Sequence, residues 1–162
     1  MSFKYSFTDY PVAGVSKLLA TYGGAHILNV EVPEDEEFWN GKLVCAGAMK
    51  SFDLYEAESA DAETVDMEIV AKAANGNYYV QVNEDTDVLL VYNPPVVEAE
   101  FTKDAASEKH FYLAAGEVGR CHCLKKWDVF ELSADGFSGT PGVGATITSI
   151  SDGKPVATGV SV

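Results

Sequence analysis

Apolar and polar positions alternate with period 2 along much of this chain. The clearest stretch puts Val65, Met67, Ile69 and Ala71 on one face and Asp66, Glu68 and Lys72 on the other, the pattern of a half-buried strand. It runs into Ala73-Ala74-Asn75-Gly76-Asn77 and then into the aromatic run Tyr78-Tyr79-Val80-Gln81-Val82. Asn-Gly supplies the positive φ that a tight turn requires, so these two segments are expected to form a hairpin. Gly41 to Met49, Asp87 to Tyr92 and Val96 to Phe101 carry β-branched, aromatic or alternating residues between turn formers and read as further strands. Ala115 to Ile150 reads as strand, tight turn, strand, glycine-rich loop and strand, its first two strands forming a second hairpin.

Helical spacing is scarce. Val15, Leu18, Leu19 and Tyr22 recur at helical intervals before Gly23-Gly24, which predicts one short helix over Val12 to Tyr22. Tyr55 to Glu63, rich in Ala and Glu, fits either a second helix or an exposed acidic loop. The expected fold class is therefore mainly β, an antiparallel β-sandwich or barrel-like body with that one helix. Pro94-Pro95 removes two ladder donors and holds the backbone extended. It divides the chain into an acidic N-terminal subdomain, residues 1–93, and a smaller barrel-like C-terminal one, residues 96–162. A bend within a single sandwich accounts for the same prolines nearly as well.

Composition narrows the function classes. With 162 residues, 47% of them hydrophobic and 11% aromatic, the chain can bury a core without a metal or a disulfide. Its 25 acidic against 11 basic side chains give a net charge of −14. The acids concentrate between Glu31 and Asp104, where only Lys42, Lys50, Lys72 and Lys103 oppose them. Such a surface repels nucleic acid and anionic membranes and favours basic partners. No apolar run approaches the ~20 residues of a membrane helix, and the start of the chain lacks the apolar core of a secretory signal. The three cysteines, Cys45, Cys121 and Cys123, have no framework spacing and fit buried thiols in a reducing cytoplasm.

Candidate chemistry is thin. On a strand, Cys121 and Cys123 share one face and His122 takes the other, which separates a thiol from an imidazole; this predicts core cysteines beside a surface histidine. A zinc site would need Cys45 or His110 to arrive from elsewhere. Asn83-Glu84-Asp85-Thr86-Asp87 begins like a calcium loop, but Val88 stands where a glycine is needed and Pro94 where a glutamate is needed, leaving a solvated acidic turn. Gly139-Thr140-Pro141-Gly142-Val143-Gly144 precedes a predicted strand, whereas a phosphate loop precedes a helix. His26, His110 and His122 sit in unrelated contexts. No catalytic, cofactor-binding or metal-binding residue is singled out. Two contact features remain. Phe3, Tyr5 and Phe7 alternate along an N-terminal arm suited to pairing in its own sheet or on a neighbour, and Arg120, Lys125 and Lys126 form a local basic cluster able to meet an acidic patch on another copy.

Gly116-Glu117-Val118, the turn Leu124-Lys125-Lys126-Trp127-Asp128, the strand Val129-Phe130-Glu131-Leu132 and Gly139-Thr140-Pro141 before Val143-Gly144 form a pattern over the last third of the chain. This pattern resembles the C-terminal parts of small β-rich virion proteins of tailed bacteriophages, the auxiliary or decoration proteins of capsids. Similar runs often carry Gly-Asp at the turn, so Trp127-Asp128 is a departure. The resemblance implies a non-enzymatic structural protein, made in a host cytoplasm and located on the capsid surface of the virion. Its implied partners are the major capsid protein and copies of itself, as in a trimer. The alternative is another protein- or carbohydrate-binding module of a phage tail or bacterial surface, using exposed Tyr78, Tyr79 or Trp127. An enzyme would need His26, His110 or His122 to converge with carboxylates in a pocket.

Overall fold

The computed structural model describes residues 10–19, 26–93 and 112–158. Eleven strands run in chain order as β1 (Ala13–Lys17), β2 (Ile27–Glu31), β3 (Leu43–Ser51), β4 (Leu54–Ser59), β5 (Met67–Lys72), β6 (Tyr78–Val82), β7 (Val88–Val91), β8 (Val118–Cys123), β9 (Val129–Leu132), β10 (Thr146–Ser151) and β11 (Lys154–Thr158). Six of them form an antiparallel sheet in the order β1-β9-β6-β5-β10-β11, and the other five close into a barrel, β2-β4-β3-β7-β8. Within the barrel, β2 and β4 run parallel. The molecule is mainly β, as its alternating pattern predicts.

Two cores follow from which face each strand buries. Val30, Val44, Leu89, Val91 and Cys121 fill the barrel, together with Phe38. Leu43, Cys45, Val88 and Leu90 point outward from the same barrel strands and join Met67, Ile69, Val80, Val82, Phe130, Leu132 and Ile147 in the larger core against the six-stranded sheet. Every residue of β7, Val88-Leu89-Leu90-Val91, is therefore buried. A continuous apolar run is what a strand between two cores requires, and each such side chain contributes about 1.5–3 kcal/mol. On β5, which buries one face, Met67 and Ile69 alternate with exposed Glu68 and Val70. The β5–β6 hairpin turns at Gly76, which takes φ +92, and the register pairs Met67 with Val82 and Ile69 with Val80.

Four expectations change. The helix over Val12 to Tyr22 is replaced, over Ala13–Lys17, by strand β1; residues 20–22 lie outside the described residues. β1 pairs with β9, and the absent side chain of Gly14 leaves room for Glu131, whose Cβ lies 3.2 Å from where a Cβ on Gly14 would stand. The chain then bends, with Leu18 N–H donating to Val15 O at 3.1 Å, and Leu18 is fully buried. Strand plus bend thus turns Val15 partly, and Leu18 fully, into the larger core. Tyr55 to Glu63 is neither helix nor loop at its start, because Leu54–Ser59 is β4 and its Tyr55 and Ala57 pack on the barrel core.

The predicted hairpin of β8 and β9 does not form. β8 pairs with β2 and β7 in the barrel, and β9 pairs with β1 and β6 in the sheet. The turn between them carries the chain from one layer to the other, with Leu124 buried in the larger core. Nor do the layers divide at Pro94-Pro95: β8 completes a barrel begun by β2, β3, β4 and β7, while β9 and β10 join β1, β5 and β6. The two prolines, Val96 to Phe101, His110 and the aromatic arm Phe3, Tyr5 and Phe7 lie outside the described residues.

Candidate functional site

The alternation of β8 sends Cys121 and Cys123 toward the barrel interior and His122 outward. The outward face is covered there, so His122 is 6% exposed rather than a surface residue. The neighbouring strand contributes Leu90 to the larger core, and the Tyr92 ring meets the imidazole edge-on at 6.0 Å. Burial, then the nearby Arg120 charge, lowers the His122 pKa, with only a backbone contact at Leu90 opposing. Its Nδ1 is buried without a hydrogen-bond partner among the described residues. Burial pushes the Cys121 thiol up to about 12. Burial, assisted by Glu63, Asp87 and Glu58, pushes the Cys45 thiol up to about 11. A thiol nucleophile needs the opposite shift. His26 precedes Ile27, the β2 residue paired with His122.

The acidic run Asn83 to Asp87 serves the local chain. Asn83 donates to the Asp66 backbone oxygen at 2.8 Å, Thr86 Oγ1 accepts from Val88 N–H, and Asp85 Oδ1 accepts from Lys126 N–H at 2.8 Å. Among the described residues, no three His, Cys, Asp or Glu side chains gather around a point where a metal ion would sit.

The layer-crossing turn Leu124 to Asp128 is held by several hydrogen bonds. Trp127 takes φ +78, a conformation disfavoured for a bulky side chain, yet it is 68% exposed. Three successive amides fix it there: Lys125 N–H donates to Asp128 Oδ2 at 2.9 Å, Lys126 N–H to Asp85, and Trp127 N–H to Val82 O at 2.8 Å. Asp128 is 5% exposed, and its Oδ1 also accepts from Leu19 N–H at 2.9 Å. Lys126 Nζ stands 5.1 Å from the centre of the Trp127 ring. Arg120 sits within β8, opposite Asn29, so the two lysines and Trp127 make this projection without it.

A second projection was not legible beforehand. β3 and β4 continue past the barrel wall, and residues Ala48–Ser51 lose their burial. Phe52 at the tip is 96% exposed and Met49 is 58% exposed. Asp53 takes φ +57 to close the turn, held by Asn29 Nδ2 donating to its Oδ2 at 3.0 Å. Ser-Phe-Asp-Leu between two alternating segments was the signal for this turn.

An acidic groove of about 700 Å³ lies among the loop after β2, the end of β4 and the β10–β11 turn. Glu34, Asp35, Glu36, Glu37, Glu58, Asp61 and Asp152 line it, with Trp39 and Lys42. Lys42 is buried; its Nζ lies 3.1 Å from Glu36 Oε2 and 4.8 Å from the centre of the Trp39 ring. Lys154 Nζ approaches the same ring at 5.6 Å. Asp61 is committed to the wall, accepting from the backbone of Asp152 and Gly153. Trp39 Nε1 is buried with no partner among the described residues.

Tyr78 and Tyr79 are less available than their sequence context suggests. Tyr78 packs edge-on against Phe137 at 5.9 Å, and Lys17 covers Tyr79 at 5.2 Å. No protein-family model matches this chain, and no curated protein or solved structure matches it.

Proposed function

We propose that this chain is a non-enzymatic virion structural protein, a decoration protein that binds and stabilises the surface of a phage head through the major capsid protein. The sequence pattern of Ala115 to Ile150 supports this reading. The observation that carries it is the β3–β4 tip: an aromatic ring 96% in water, beside a largely exposed methionine, on a hairpin with a closed, bonded turn. Burying such a ring at a partner contributes about 1.5–3 kcal/mol, and a preformed turn limits the entropy lost on docking.

The test is co-sedimentation of the purified chain with phage heads stripped of accessory proteins. Saturable binding at a fixed ratio to the capsid subunit, weakened at least tenfold by Phe52→Ser with the fold intact, supports the proposal. Absence of binding, or binding indifferent to Phe52, overturns it. The exposed Trp127 ring favours a second reading, carbohydrate binding, which a glycan array showing Trp127-dependent binding would select.

A further inference from the structure

We infer that the chain docks end-on, through the barrel end at which β3 and β8 finish, and that Trp127 is a second anchor opposite Phe52 on the same partner, the capsid subunit. The inference deepens the reading above and rests on it.

Strand direction puts the two projections at one end. β3 and β8 each run antiparallel to β7, which lies between them, so they point the same way and leave the barrel together. From β3 the chain enters the Phe52 tip, and from β8 it enters the Trp127 turn. In the closed order β2-β4-β3-β7-β8, β7 separates β3 from β8 on one side, and β4 and β2 separate them on the other. The two projections therefore face each other across the barrel mouth. The mouth itself is apolar, because Leu28, Tyr55 and Cys123, close to the ends of β2, β4 and β8, are only partly buried against the barrel core. Leu19, also exposed, is tied to the Trp127 turn by its N–H on Asp128. Exposed Phe52, Met49, Trp127 and Leu19 thus gather at one end of the molecule. Scattered exposed apolar side chains are ordinary, whereas their concentration in one region marks an interaction site.

The other end of the barrel has the reverse character. β3 begins and β4 ends there, and Leu43 and Ser59 line the acidic groove with Glu34, Asp35 and Glu58. Those carboxylates keep that end in water. The apolar end instead carries Lys125 and Lys126, neither of them in an ion pair with a described residue, on a chain of net charge −14. Asp53 and Asp85, at the same end, accept hydrogen bonds from within the chain. Two unpaired ammonium groups beside an indole fit a partner surface that offers an apolar patch rimmed by carboxylates.

Both anchors are formed before docking. Bonded amides hold the backbone of the Trp127 turn, and the Asn29 side chain holds the Phe52 turn at Asp53. Tryptophan is enriched among residues that dominate interfaces, and a rigid presentation loses little freedom on binding. A φ of +78 maintained by its surroundings points to a role for the side chain it displays.

Co-sedimentation with stripped phage heads, at about 0.15 M salt where the screening length is about 8 Å, tests the second anchor. Trp127→Gly, which suits the left-handed backbone, should bind at least tenfold more weakly. Lys125→Glu/Lys126→Glu should also bind more weakly and lose the salt dependence of the wild-type chain. Glu34→Lys/Asp35→Lys, at the acidic end, should bind within about twofold of wild type. Urea midpoints verify that each variant is folded, and hydroxyl-radical footprinting of the bound chain should protect Met49, Phe52 and Trp127 together. Binding that needs Phe52 but is indifferent to Trp127, protection of one projection only, or loss of binding on reversing Glu34 and Asp35 overturns this inference and leaves the capsid reading standing. No binding by the wild-type chain removes both. Trp127-dependent self-association in sedimentation equilibrium, without head binding, assigns this end to a second copy and likewise overturns the inference.

Discussion

Removing the Asp128 carboxylate should show that the Trp127 turn is held from below. Asp128→Ala deletes the acceptor of two amides, Leu19 N–H and Lys125 N–H, both at 2.9 Å and both partly buried. A hydrogen bond to a charged group contributes about 1.5–3 kcal/mol. Partial burial places each at the lower end, so the pair totals about 3 kcal/mol. For a chain of this size each kcal/mol moves the melting temperature by roughly 2–4 °C, which predicts a fall of about 6–12 °C. Urea unfolding followed by tryptophan fluorescence should show a lower midpoint at unchanged slope. Asp128→Asn keeps one acceptor and should lose about half as much. Trp127→Gly is the counterpart: relief of left-handed strain, ~1–2 kcal/mol, is offset by added unfolded-state freedom, ~0.5–1 kcal/mol, and by the lost Lys126 contact, ~0.5–1 kcal/mol. Its stability should stay within about 1 kcal/mol of wild type. An Asp128→Ala protein equally close to wild type would refute this account of the turn.

The lowered His122 pKa sets a pH dependence. The unfolded chain binds that proton more tightly, so the stability contribution is complete above about pH 6.5 and falls away as the pH drops through the lower folded-state value. The stability of wild type relative to His122→Phe should therefore shrink between pH 8 and pH 5.5; parallel pH profiles would contradict it. Gly41→Ala should cost about 2–4 kcal/mol, since its Cβ at φ +95 would stand 2.4 Å from Leu132 Cδ1; an unchanged urea midpoint would count against that packing. With Cys45 and Cys121 buried and their thiols pushed to about 11 and 12, a thiol reagent at pH 8 should label at most Cys123 quickly and all three cysteines in urea. Rapid native labelling of a second thiol would show that a core opens.

The class of the fold was legible because period-2 alternation is a local property. Val65 to Lys72 and Tyr78 to Val82 declare a strand pair by their own residues, with Asn75-Gly76 between them. The projections were only half legible. The composition at Lys125-Lys126-Trp127 suggested a contact, whereas Phe52 drew no notice, because exposure of a ring depends on what fails to cover it.

By itself, the sequence determined that the protein is acidic, mainly β, and built with Cys121 and Cys123 facing away from His122 along one strand. Tertiary structure alone decided that Ala13–Lys17 is a strand, that β8 and β9 part company into different layers, that His122 is buried and that carboxylates from three separate loops line one groove. Alternation fixes which side chains share a face of a strand. Which strands pair, and what covers each face, depends on contacts between residues far apart in the chain, where Leu132 meets Ala13 and Cys121 meets Leu28.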